Sequence, residues 1–175
     1  MRTIVLVVAL AAPGALAAQE SPYAGWEGRE IKALSPEEIA SLRAGEGMGL
    51  ALAAELNGWP GPRHVLDMAD SLALTAEQRE RVEEIRGGMK GRAVALGEAV
   101  IAAEASLDSL FAERAIDVES LEEKTAEIAR LQGELRAVHL AAHLATTAVL
   151  TSHQVARYAA LRGYAGGEHG AHAHE

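Results

Sequence analysis

The chain has 175 residues, a formal net charge of −9, no cysteine, and only one Phe, two Trp and three Tyr. That charge argues against nucleic acid and anionic membranes as partners and suits cations or basic and apolar protein segments. Lack of cysteine excludes disulfides, thiolate metal sites and thiol nucleophiles, and a 49% hydrophobic composition so poor in aromatics fits close-packed helices.

Residues 1–17 of "MRTIVLVVALAAPGALAAQE" read as a secretory signal peptide. Arg2 supplies the basic start, Ile4 to Ala12 the apolar run, and Ala15-Leu16-Ala17 the small-residue cleavage site. The alternative, an uncleaved anchor, meets an apolar run only about half the roughly 20 residues a spanning helix needs. Arg2 is the only charge before Ala18, so cleavage makes the mature chain more acidic by one unit. Residues 18–34 read as an extended lead-in whose Tyr23 and Trp26 are expected to dock on the helical hairpin.

A helical domain is expected over residues 35–164. Its first helix starts at "LSPEE", with Ser35 as N-cap, Pro36 at the first helical position and Glu38 closing a capping box. Glycines 45, 47 and 49 interrupt it, "LALAAEL" resumes it, and "NGWPGP" breaks it. A short helix over Arg63 to Leu72 comes after the breaker. Next, "LTAEQ" opens a long helix, capped by Thr75 and Gln78, with apolar residues at 82, 85, 89, 93, 96, 100, 103, 107 and 110. About 37 residues of helix span about 55 Å. Gly87, Gly88 and Gly91 inside it suggest a bend or a close helix contact. "ERAID" makes a turn, Asp117 caps a second long helix whose apolar stripe runs from Val118 to Val149, and "LTSHQ" opens a last helix ending at Gly163. Two long stripes joined by a short turn pack antiparallel. The expected fold is therefore all-α, a long antiparallel helical hairpin with short flanking helices, four to five in all. The short helices cover part of the hairpin and a second copy the rest, which predicts a homodimer. Residues 165–175 carry no apolar periodicity and are expected to be a disordered, His-rich tail.

The two "LTxxQ" stretches are, physically, helix-start devices: Thr caps, Gln is the third helical residue, and Leu150 can staple to Val155. Two copies flanking a helical hairpin behind a signal peptide resemble the periplasmic LTxxQ family. That family comprises Spy/CpxP-type stress chaperones together with zinc-resistance-associated and nickel/cobalt heavy-metal sensor proteins. The resemblance covers roughly His64 to Tyr164, and its motif residues are Leu74, Thr75, Gln78, Leu150, Thr151 and Gln154. It implies a helical hairpin, a cradle-like dimer, a periplasmic location and no enzymatic activity. Its members either bind metal or hold unfolded proteins.

The histidines bear on that choice. His64 and Met68, and His139 and His143, are i, i+4 pairs, the spacing of helical metal ligands. Imidazole suits a divalent transition metal such as Zn, Cu, Ni or Co, and a thioether adds affinity for softer ions such as Cu(I). In the hairpin both pairs fall near its open end, and the resemblance implies ligands from these two neighbourhoods. This chain departs from the sensor pattern in having His139 and His143 where His and then Met are favoured. Arg86, with Glu83 and Glu84 nearby, stands where a carboxylate is drawn from the long helix. The alternative reading places His139 and His143 at the border of the core stripe. His169, His172 and His174 form an auxiliary, exchangeable site or a solubilising tail. His153, second in the last helix, is expected on the surface.

No G-x-S-x-G, P-loop, H-E-x-x-H or dinucleotide fingerprint occurs, so no enzyme and no organic cofactor are expected. The sequence points to a metal-responsive protein with a metal ion, a homodimeric partner and a membrane-bound regulator. The alternative is an ATP-independent chaperone for unfolded clients.

Overall fold

Four helices begin at side-chain caps already visible in the sequence, and all four caps are reciprocal. In a computed structural model that describes residues 21–164, Ser35 opens α1 (Pro36–Ala44) and Thr75 opens α4 (Ala76–Ala112). Asp117 opens α5 (Val118–Val149) and Thr151 opens α6 (Ser152–Leu161). Each cap accepts the backbone N–H three residues on, while that residue's side chain accepts the N–H of the cap. Two short helices lie between, α2 (Leu52–Glu55) and α3 (Pro62–Asp67). The expected signal peptide and the expected tail, with His169, His172 and His174, lie outside the described residues.

The fold is all-α, with α4 and α5 as a long antiparallel pair: the side chain of Gln78, at the start of α4, donates to the carbonyl of Val149, at the end of α5 (2.9 Å). There are six α-helices among the described residues rather than four or five, because the glycine-interrupted stretch makes a separate single-turn α2. The short helix is also shorter than the expected Arg63 to Leu72. It stops at Asp67, Met68 leaves helical geometry (φ −110°, ψ 19°), and Ala73 sits in the left-handed region (φ 49°).

The main core joins Val100, Ile101 and Ala103 of α4 to Ile128, Leu131, Leu135 and Val138 of α5, with Leu42 of α1 and Ile31 of the lead-in. A second cluster, Val65, Leu72, Val82 and Tyr158, closes the open end. The α5 stripe departs from expectation at its start. Val118 and Leu121 are exposed beside Phe111, because the short helices pack toward the other end and leave the hairpin tip uncovered. The lead-in is also corrected. Ile31 is the residue that docks, while Tyr23 and Trp26 stay 63% and 42% exposed. They pack edge-to-face on each other, ring centroids 5.2 Å apart, and the Arg29 guanidinium lies 3.6 Å over Trp26.

The close helix contact falls at Gly97, not at the glycine cluster. A Cβ on Gly97 would strike the backbone carbonyl of Leu42, whereas Gly87, Gly88 and Gly91 face open space. Gly91→Ala is therefore expected to stabilise by up to about 1 kcal/mol through helix propensity. Gly97→Ala is expected to destabilise by about 2 kcal/mol, since α1 must back away from α4. Urea unfolding of the two variants checks the opposite signs.

Candidate functional site at the open end of the hairpin

Glu55 is the one charged residue of "LALAAEL", and the fold buries it. Its Oε1 accepts from Tyr158 Oη (2.6 Å), Tyr164 Oη (3.1 Å) and Arg162 Nε (3.1 Å), all from α6 and the residues after it. Glu55 Oε2 has no hydrogen-bond partner. Burial alone would raise this carboxyl. The Tyr158 and Tyr164 hydroxyls, then His64 and Arg162, outweigh it and hold the group below its ordinary value. Burial and the Glu55 contact push the Tyr158 hydroxyl far up, so it stays a donor.

Two histidines flank this carboxylate. His64 of α3 places Nδ1 3.7 Å from Glu55 Oε1, and His143 of α5 places Nδ1 3.9 Å from Oε2. The breaker "NGWPGP" carries the Trp59 carbonyl to 2.7 Å from His143 Nδ1. A carbonyl only accepts, so Nδ1 carries the proton and Nε2 keeps its lone pair in the neutral ring. Gly61 makes this approach possible: a Cβ there would lie 2.8 Å from His143 Cε1 and 2.9 Å from Nε2. His139, one turn earlier, is only 4% exposed and its Nε2 is unpartnered. Burial, then His143, pushes His139 below its usual range. Burial and Arg162 do the same for His64, against the opposing pull of Glu55 and Asp67.

All three histidines line one open cavity of ≈ 490 Å³, together with Glu55, Arg162 and Tyr164. The fold therefore brings His64, His139 and His143 to one cavity. It does not bring Met68 there. With α3 ended at Asp67, Met68 turns into the apolar cluster of Val65, Leu72 and Tyr158. Met48 and Met89 are the thioethers that border the cavity. Arg86 lines it as well, and the carboxylate comes from Glu55 rather than from Glu83 or Glu84, which stand exposed on α4. His153 is exposed, as expected. Among the described residues, no three His, Asp or Glu side chains stand close enough together to hold a metal ion.

The LTxxQ residues form a second constellation. Gln78 Nε2 donates to Gln154 Oε1, and Gln154 Nε2 donates back to Gln78 Oε1, both at 2.9 Å. The remaining amide hydrogens go to the carbonyls of Val149 (2.9 Å) and Leu72 (3.3 Å). Each Oε1 also accepts its own cap's N–H, from Thr75 and Thr151. Leu74 and Leu150 pack against the apolar cluster beneath. The motif is a clasp between two helix starts, not a pocket.

Two neutral histidines make stability depend on pH. His64 and His139 have folded values below 6.5, so the folded chain binds fewer protons than the unfolded one just below that pH. Their contribution is complete above about pH 6.5 and is lost as pH falls toward the depressed folded values. Glu55, also depressed, loses its share only at still lower pH. Melting temperature is expected to be level near neutrality and to fall below about pH 6.5, with a shallower fall in His139→Gln. An identical fall in that variant rules His139 out as a contributor.

No family model, no curated protein and no solved structure matches the chain.

Proposed function

We propose that this chain is an exported, periplasmic heavy-metal-responsive protein of the LTxxQ type, and that its cavity histidines bind a divalent transition metal. The observation that carries this reading is the convergence of His64, His139 and His143 on one cavity, with two of its buried polar atoms, His139 Nε2 and Glu55 Oε2, unpartnered. Burial favours the neutral imidazoles that a metal requires. The Trp59 carbonyl orients His143 in the manner of a backbone acceptor behind a metal-bound imidazole. His64 and His143 would hold the ion, with His139 and the cavity thioethers beside it. Such an ion would supply a charged crosslink between α3 and α5. It would also compete with Glu55 for His64, so the Glu55 latch on α6 would feel its arrival. A membrane-bound regulator or a second copy would read that change. The uncovered hairpin tip, with Phe111, Val118 and Leu121 exposed, supports a homodimer.

Calorimetric titration of the mature chain with Zn, Co, Ni and Cu tests the reading. Binding is expected, weakened by about tenfold or more in His143→Ala. Equal affinity in that variant removes the folded site. Exposed Met48, Leu52, Leu56 and Trp59 favour a second reading, a chaperone that holds unfolded clients. Suppression of client aggregation in the presence of a chelator would support it.

A further inference from the structure

The cavity is locally cationic in an acidic chain. Arg63, Arg86, Lys90 and Arg162 line it against only two carboxylates, Glu46 and Glu55, although the whole chain carries −9. Two of these cations have partners: Arg162 sits on Glu55 (3.1 Å) and Arg63 beside Asp67 (3.9 Å). Arg86 and Lys90 pair with no carboxylate among the described residues. They stand one turn apart on one face of α4 and reach the same cavity.

A bare divalent ion fits this cavity poorly in charge, in ligands and in size. It would bring further positive charge to two unpaired cations, and a cleft lined by one sign of charge intensifies that repulsion. His64 and His143 supply only two imidazoles, whereas a bound zinc-like ion takes about four donors. The described residues bring no three His, Asp or Glu side chains together to make up the difference. An ion alone would also leave most of the ≈ 490 Å³ empty, a volume within the roughly 300–1,000 Å³ typical of small-molecule pockets. One kind of partner answers all three. A small polycarboxylate that also carries a hydroxyl or amino group wraps the ion, adds the missing donors, reverses the charge and fills the space. Its outer carboxylate oxygens are acceptors for charge-assisted hydrogen bonds from Arg86 and Lys90. Its hydroxyl or amino hydrogen complements Glu55 Oε2, which is buried without a partner.

We propose that the cavity takes its divalent transition metal as an anionic chelate of a small hydroxy- or amino-polycarboxylate, with His64 and His143 on the ion and Arg86 and Lys90 on the chelator's carboxylates. The proposal rests on the metal-binding reading above and changes the ligand from a bare ion to a metal-organic anion.

The test is equilibrium dialysis of the full mature chain against nickel, with and without labelled citrate in excess. Citrate strips nickel from an ordinary site by competition. Here nickel and citrate are expected to be retained together in equal amounts, and more nickel is expected on the chain at a given free-ion concentration when citrate is present. Arg86→Gln/Lys90→Gln should hold the nickel citrate about tenfold or more weakly, while binding nickel alone no more weakly than the unchanged chain. Both positions are exposed on α4, and glutamine is a comparable helix former, so the fold stands in this variant. His64→Ala should lose nickel with and without citrate. Arg92→Gln/Arg136→Gln removes two exposed cations outside the cavity and should retain both ligands; a loss there equal to that of the cavity variant overturns the proposal. Nickel bound without citrate and released by it overturns the proposal and leaves metal binding standing. So does citrate retention that survives unchanged in Arg86→Gln/Lys90→Gln, or that needs no nickel. No nickel on the unchanged chain, with or without citrate, removes the proposal and the reading beneath it together.

Discussion

Glu55→Ala is expected to cost about 3 kcal/mol and to lower the melting temperature by roughly 6–12 °C. The Glu55 side chain ties α2 to the second half of α6 and the residues just after it. Its Oε1 takes hydrogen bonds from Tyr158, Tyr164 and Arg162. Alanine leaves the Tyr158 hydroxyl buried with no acceptor, and an unsatisfied buried donor alone costs about 1–3 kcal/mol. Arg162 is about a third exposed and can turn to water, which holds the total near the lower end of the range for breaking a buried ion pair. Glu55→Gln keeps an acceptor at Oε1 and loses only the charge, so it should cost about half as much. Thermal and urea unfolding of both variants read the difference. A Glu55→Ala loss below about 1 kcal/mol would show that the three donors find water instead.

This carboxylate shows where the sequence stops being legible. The helix starts were readable because a cap and its partner lie three residues apart, and all four boxes formed where Ser35, Thr75, Asp117 and Thr151 stand. The partners of Glu55 lie 103 to 109 residues away, so local pattern says only that a charge interrupts an apolar run. The same distance hid the burial of His143. Its place at the border of the α5 stripe is a local fact, but the Trp59–Gly61 loop that covers it comes from 84 residues earlier. Met68 failed for the opposite reason. Its i, i+4 relation to His64 assumed a helix that continues, and α3 ends one residue short of it. Among the glycines, sequence showed where helix propensity was weak, at Gly87, Gly88 and Gly91. It could not show that the backbone of α1 rests on Gly97.

The clasp gives the other large effect. Gln154→Glu should destabilise the fold by about 3 kcal/mol at neutral pH, although it looks conservative for a cap. Glutamate serves as well as glutamine in a capping box; Glu38 does so for Ser35 at the start of α1. If capping were the whole role of the motif, the change would be nearly neutral. But Gln154 is buried, and its amide donates to Gln78 Oε1 and to the Leu72 carbonyl. A carboxylate donates neither bond and sets its oxygen against that of Gln78. Turning the Gln78 amide to donate instead would give up the N–H of Thr75 that its oxygen now accepts. A buried charge with lost donors costs several kcal/mol before relaxation, so about 3 kcal/mol is the part expected to remain. Protonation restores one donor, so the deficit should shrink as pH falls, opposite in sign to the histidine dependence. Glu38→Gln is the control: an exposed cap with no second partner, expected to change stability by less than about 0.5 kcal/mol. Equal effects in the two variants would reduce both LTxxQ stretches to ordinary caps. A large loss in Gln154→Glu alone would show that the two motifs function as one unit, holding the start of α4 to the start of α6.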